Sequence, residues 1–129
     1  QIQRVNELIF RKKEIFTFYE KEIDGLDGVS INQRLCDRES GYWMVNLVFE
    51  RRLNIDREII LEYFEAANID ARVFFWPLSS LGFIDGRHET PTAHDLSSRS
   101  INLPSFHDIT DEEQLRVITL VKKLLLDFS

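Results

Sequence analysis

The chain has 129 residues, 43% of them apolar and 29% charged, a balance that excludes disorder and supplies one core without disulfides or a structural metal. Sixteen Lys and Arg against 22 Asp and Glu leave a net charge of −6, which argues against nucleic acid as the main partner, because phosphate binding needs a concentrated basic face. Cys36 has no second cysteine to pair with, the dispersed His88, His94 and His107 have no zinc-ligand spacing, and no run approaches a membrane span, so a cytoplasmic protein without metal or membrane partner is expected.

Ile2, Val5, Leu8, Ile9, Ile15, Phe16, Tyr19 and Ile23 recur at three- and four-residue steps, which predicts a helix over residues 1–24. Gly25 is suited to end it in the left-handed conformation. The chain opens inside this helix and without Met, so a fragment of a longer protein is expected. Val29-Ser30-Ile31 reads as a short strand. Residues 42–49, from Tyr42 to Phe49, are aromatic, β-branched and mostly apolar on both faces, which predicts a covered central strand with Trp43 in the core. Asp56 is placed to cap a helix striped with Ile59, Ile60, Tyr63, Phe64 and Ala67, with Asn68 as its left-handed stop.

Residues 71–76 predict a further strand halted by Pro77. Beyond it, Ser79-Ser80, Gly82, Asp85-Gly86 and Pro91 mark turns, and residues 92–98 a short helix. Thr110-Asp111-Glu112-Glu113 is a capping box, followed by an apolar face of Leu115, Ile118, Val121, Leu124 and Leu125. The predicted fold is α+β: a small, mostly antiparallel sheet covered by three main helices, one domain over residues 1–129.

For chemistry, no glycine-rich phosphate loop or Gly-x-Ser-x-Gly elbow is present. Cys36 has no neighbouring His and reads as a plain thiol; the three histidines read as loop residues. Glu112 and Glu113 sit where a helix dipole favours acids. Lys12, Lys13, Lys21, Lys122 and Lys123 read as lysines on solvated helix faces. No catalytic residue and no cofactor ligand is therefore assigned. The segment with binding potential is Arg72-Val73-Phe74-Phe75-Trp76-Pro77. Read as structure, it is a core strand and a stiff turn. Read as a site, alternation sends Phe74 and Phe75 to opposite faces, one under the helices and one toward a cleft. An aromatic surface beside a guanidinium suits a planar or phosphorylated ligand. Arg72, Phe74, Phe75 and Trp76 are the candidate substrate-binding residues.

The run Asn68-Ile69-Asp70-Ala71-Arg72-Val73-Phe74-Phe75-Trp76-Pro77-Leu78 resembles the G-I-x-x-R-x-H/F-Y/F-x-P-L segment of the DegT/StrS family of sugar aminotransferases, fold-type I enzymes that use pyridoxal phosphate (PLP). In the same order, Ser40-Gly41-Tyr42-Trp43-Met44 resembles the family's S-x-Y-W-M strand. Ser97-Ser98-Arg99-Ser100-Ile101-Asn102-Leu103-Pro104 resembles its S-x-R-x-x-x-L-P element, and Asp108-Ile109-Thr110-Asp111-Glu112-Glu113 its L-T-x-E-E helix start. The opening helix resembles the one that joins the large domain to the small one. Residues 74–81 most resemble the perosamine-forming members, which aminate a GDP-4-keto-6-deoxymannose. Departures are Phe74 and Ser79 where many members carry His, and Asn68 in place of Gly.

The resemblance implies the C-terminal small domain of a PLP-dependent transaminase of polysaccharide biosynthesis. Its partners would be a nucleotide-sugar and an amino donor such as glutamate, and the full-length enzyme would be a homodimer. The PLP lysine, the pyridine-nitrogen Asp and the phosphate-binding hydroxyls would belong to the large domain, leaving this portion inactive alone. Two other readings stand beside it: a free-standing α+β binding module, and the interaction domain of a PLP-less sensor. Arg72 can meet a substrate phosphate or a large-domain carboxylate, since both fit its planar fork.

Overall fold

The computed structural model describes residues 2–34, 36–37, 40–82 and 89–129. Gln1, Asp85, Gly86 and His88 lie outside the described residues, together with the expectations attached to them.

A short 3-10 turn, Ile2–Arg4, leads into α1, Val5–Ile23. Gly25 follows at φ +79°, the left-handed conformation expected of it. Only the second half of the α1 stripe is buried, through Ile15, Phe16, Tyr19 and Ile23; Ile2, Val5, Ile9 and Phe10 are exposed. Then come β1 (Val29–Ile31), β2 (Val45–Phe49), α2 (Arg57–Ala66), β3 (Arg72–Val73), α3 (Pro91–Ser98), β4 (Ser100–Leu103) and α4 (Asp111–Phe128). The four strands form one sheet in the order β1-β2-β4-β3, every pair antiparallel.

Register decides which residues share a face. Val45 opposes Leu103 and Leu47 opposes Ile101, so these four lie on one face, all buried. They form a single core with Phe16 and Tyr19 of α1, Ile60 and Phe64 of α2, and Ile118, Val121 and Leu124 of α4. Each such side chain contributes about 1.5–3 kcal/mol when fully buried. Two buried polar side chains tie elements together, whereas the buried Ser100 hydroxyl has no hydrogen-bond partner among the described residues. The Tyr19 hydroxyl donates to Pro104 O at 2.9 Å, burial pushing its pKa well up, and Gln114 Nε2 donates to Ile15 O at 3.1 Å, tying α4 to α1.

Both expected N-terminal caps are in place. Asp56 accepts from Ile59 N at 3.0 Å, and Thr110 exchanges bonds with Glu113 as a full capping box. Asn68 stops α2 at φ +53°.

Four expectations are corrected by the fold. Trp43 is not core: Tyr42 turns the chain at φ +49°, β2 starts at Val45, and the indole is 66% exposed. The strand expected over 71–76 is Arg72–Val73 alone. The register pairs Arg72 with Asn102 and Val73 with Ile101, so residues 75 and 76 would run past Ser100, where β4 begins. Leu115 is exposed, because the buried face of α4 follows Gln114, Val117, Ile118, Val121, Leu124 and Leu125, about 100° away. His94 lies in α3 rather than a loop, with Nε2 3.3 Å from Ser79 Oγ.

Candidate functional site

Where β2 begins and β4 ends, a cleft of about 380 Å³ opens between Trp43, the segment 68–72, the segment 102–106 and the first turns of α4, with Lys12 of α1 on its wall. That size lies within the range of small-ligand sites.

Arg72 projects along this cleft, 76% exposed and paired with Asp70 at 2.9 Å. The three rings after it do not line the cleft. Phe74 is half-buried, while Phe75 and Trp76 are 58% and 56% exposed. The expected division, one ring under the helices and one in the cleft, is therefore not what the fold makes. Instead the rings form a rim. Trp43 lies 6.1 Å from Phe75 at an interplanar angle of 32°, and Phe74 lies 6.4 Å from Phe75. Trp76 stacks against the guanidinium of Arg57, 3.9 Å from the ring centroid. Arg57 is itself buried, donating to Ser97 O at 3.1 Å and to Glu58 at 2.9 Å, which holds the Glu58 carboxyl below its ordinary range. The result is an aromatic rim beside a cleft that holds both signs of charge, a surface that can stack a planar group and pair with an anion.

Lys12 departs from its expected place on a solvated face. It is half-buried, its ammonium donates to Ser105 O and lies 3.4 Å from Ser105 Oγ, and burial lowers its pKa. The signal was present: Lys12 stands three, four and seven residues before Ile15, Phe16 and Tyr19, on the buried stripe. Trp43 and Arg57 were also missed as site residues. Nothing local in the sequence marks Arg57 as the residue that meets Trp76, since 19 positions separate them.

Behind the rim, Arg99 donates to Phe49 O and holds Asp95 at 2.7 Å, and Arg51 meets the same carboxylate at 2.8 Å. This network ties α3 to the end of β2 and holds the Asp95 carboxyl below its ordinary range, chiefly through the Arg99 bond.

Fold and cleft together define an α+β domain with a ligand-sized opening at one end of its sheet. Residues 1–122 match the DegT/DnrJ/EryC1/StrS aminotransferase family, and the chain belongs to it. It is 28% identical to a GDP-perosamine synthase of Escherichia coli O157:H7 over 98% of this chain and 34% of that protein. It is 25% identical to one of Vibrio cholerae over 95% of this chain and 34% of that protein. The crystal structure of the sugar aminotransferase CalS13 from Micromonospora echinospora superposes with a TM-score of 0.79 at 27% identity, covering 95% of this chain and 32% of CalS13. The chain thus spans about a third of the length of the relatives it matches.

Proposed function

We propose that this chain is the C-terminal small domain of a PLP-dependent nucleotide-sugar aminotransferase, with residues 1–24 joining it to a large domain and its rim closing one side of the substrate site. The substrate would be an NDP-4-keto-6-deoxyhexose of the perosamine-precursor kind, with glutamate the expected amino donor and the complete enzyme a homodimer. One observation carries the reading. Arg72 lies at the cleft edge with its fork presented to solvent, in reach of a phosphorylated ligand, while the exposed Trp43 and Phe75 beside it offer flat faces. Its pairing with Asp70 is between two exposed groups, worth at most about 1 kcal/mol, so this pair gives Arg72 little structural weight.

The side chains of this domain do not fit a PLP site. Lys13, Lys21, Lys122 and Lys123 are exposed on helices, and Lys12 is committed to Ser105; a lysine that carries PLP must be free and desolvated beside an anchored phosphate. The cofactor lysine is assigned to the rest of the enzyme, and this domain alone to inactivity. A borohydride-trapped, stoichiometric PLP adduct on one lysine of the 129-residue chain would overturn that assignment.

Arg72→Lys in the full-length enzyme tests the site. It keeps the charge and loses the fork, so KM for the nucleotide-sugar should rise about tenfold, the effect of one charged hydrogen bond, with melting unchanged. A fall in melting temperature with only indirect kinetic loss would instead assign Arg72 to bracing against a large-domain carboxylate.

A further inference from the structure

β3 has two residues, both exposed, and it is an edge strand; yet it carries Arg72 and delivers residues 74–76 to the rim. Two register pairs with β4 are a slender attachment, well below the usual strand length of about five residues. A side chain supplies a further tie. Asn102 of β4 stands directly opposite Arg72, is only 4% exposed, and donates Nδ2 to Val73 O at 2.9 Å. Its Oδ1 accepts from Nδ2 of Asn46, its register partner on β2. Asn32, just beyond β1, accepts from Asn46 N at 2.9 Å and donates Nδ2 to Met44 O at 3.4 Å. Side-chain amides thus cross the sheet from beside β1 to β3 on the face opposite Leu47 and Ile101.

The direction of each amide follows from chemistry. Val73 O can only accept, so Asn102 must turn its NH₂ toward β3 and its oxygen toward β2. An oxygen there requires a donor, so Asn46 must present its own NH₂. Reversing one amide sets oxygen against oxygen at the next link.

We propose that Asn46 and Asn102 are positioning residues: a two-amide relay that holds β3 in place and so presents Arg72 to the nucleotide-sugar. The inference rests on the reading of Arg72 as a substrate contact. Asn102 borders the cleft, but its amide is committed to Val73 O and to Asn46, so both asparagines act through the strand. The requirement is for a donor at position 46, not merely a polar group.

The test is Asn46→Asp in the full-length enzyme. The new carboxylate only accepts, so it draws the Asn102 NH₂ toward β2 and turns the Asn102 oxygen against Val73 O. KM for the nucleotide-sugar should rise about tenfold, the loss of one hydrogen bond and its replacement by a repulsion, with kcat changed less than about twofold. In an Arg72→Lys background the same change should add less than about twofold, since both act on one contact. A raised KM in Arg72→Lys with an unchanged KM in Asn46→Asp overturns the relay and leaves the substrate reading intact. An unchanged KM in both overturns the substrate reading and the relay with it. If Asn46→Asp does not fold, Asn46→Ala removes the donor without forcing the reversal. Amide hydrogen exchange of the peptide carrying residues 70–76 should then quicken relative to β1 in the full-length enzyme, and equal exchange in both would overturn the relay.

Discussion

The helix-backed side of the sheet and the rim around β3 use the same kinds of residue to opposite ends. On one side Phe16, Tyr19, Phe49 and Phe64 are sealed together with Leu47 and Ile101. At the rim Trp43, Phe75, Trp76 and Leu78 are more than half exposed. The sealed rings lower the free energy of this chain by themselves. The rim rings do so weakly, because most of their apolar surface stays in water. The buried rings that hold the sheet to its helices lie away from β3, which is why a two-residue edge strand can be tolerated: the core does not depend on it.

The comparison breaks most readily at the aromatic rings. Phe49→Ala should cost about 3–5 kcal/mol, the usual range for a buried Phe, read as a fall in denaturation midpoint. Trp43→Ala should cost under about 1 kcal/mol, because little of the indole leaves water on folding. Equal losses would show that the rim is part of the core.

Thr110→Ala should cost about 1 kcal/mol, the size of a lost N-cap, since its hydroxyl and the Glu113 carboxylate satisfy amides at the start of α4 reciprocally. An unchanged midpoint would show that the cap does not hold the start of α4.

Asp95 sharpens the boundary between the two halves, because its bonds to Arg99 and Arg51 join α3 to the end of β2. Asp95→Asn should cost about 0.5–1 kcal/mol at neutral pH. The folded carboxyl titrates below its ordinary 3.8. The stabilisation is therefore fully present above that value and fades as pH falls through the lowered one. Wild type and variant should converge in stability in strong acid; a constant gap between them would show that the charge is not what matters.

The smallest effect concerns Lys12, which lies on the buried stripe of α1 yet faces the cleft. Its amine should titrate below 10.5, because burial disfavours the charged form, as followed by NMR of the side-chain nitrogen. An ordinary midpoint would put Lys12 in open water and remove it from the cleft wall.

Much of this was legible in residues alone, wherever the deciding interaction is local. The caps at Asp56 and Thr110, the left-handed Gly25 and Asn68, and the α2 stripe depend on neighbours within about four positions, and each formed where it was read. The ordered motifs also carried the family, which the match over residues 1–122 bears out. Trp43 was misplaced because β-propensity describes a strand's composition and not where its first hydrogen bond falls; Tyr42 turning to positive φ decided that. Lys12 was misplaced although its spacing was visible, because its charge outweighed its position on the stripe.

By itself, then, the sequence determined the α+β class, the helix ends, the central position of β2 and the family. These follow from short-range hydrogen bonding, from apolar periodicity and from motif order, all of which survive without knowledge of the partner strands. Only the tertiary structure decided that β3 stops at Val73, that Trp76 meets Arg57 across 19 positions, and that Asn46, Asn102 and Val73 join into one line. Those depend on register. A shift of one residue between β2 and β4 would put Asn46 and Asn102 on opposite faces of the sheet, and which strands become neighbours is decided only when the apolar faces pack together.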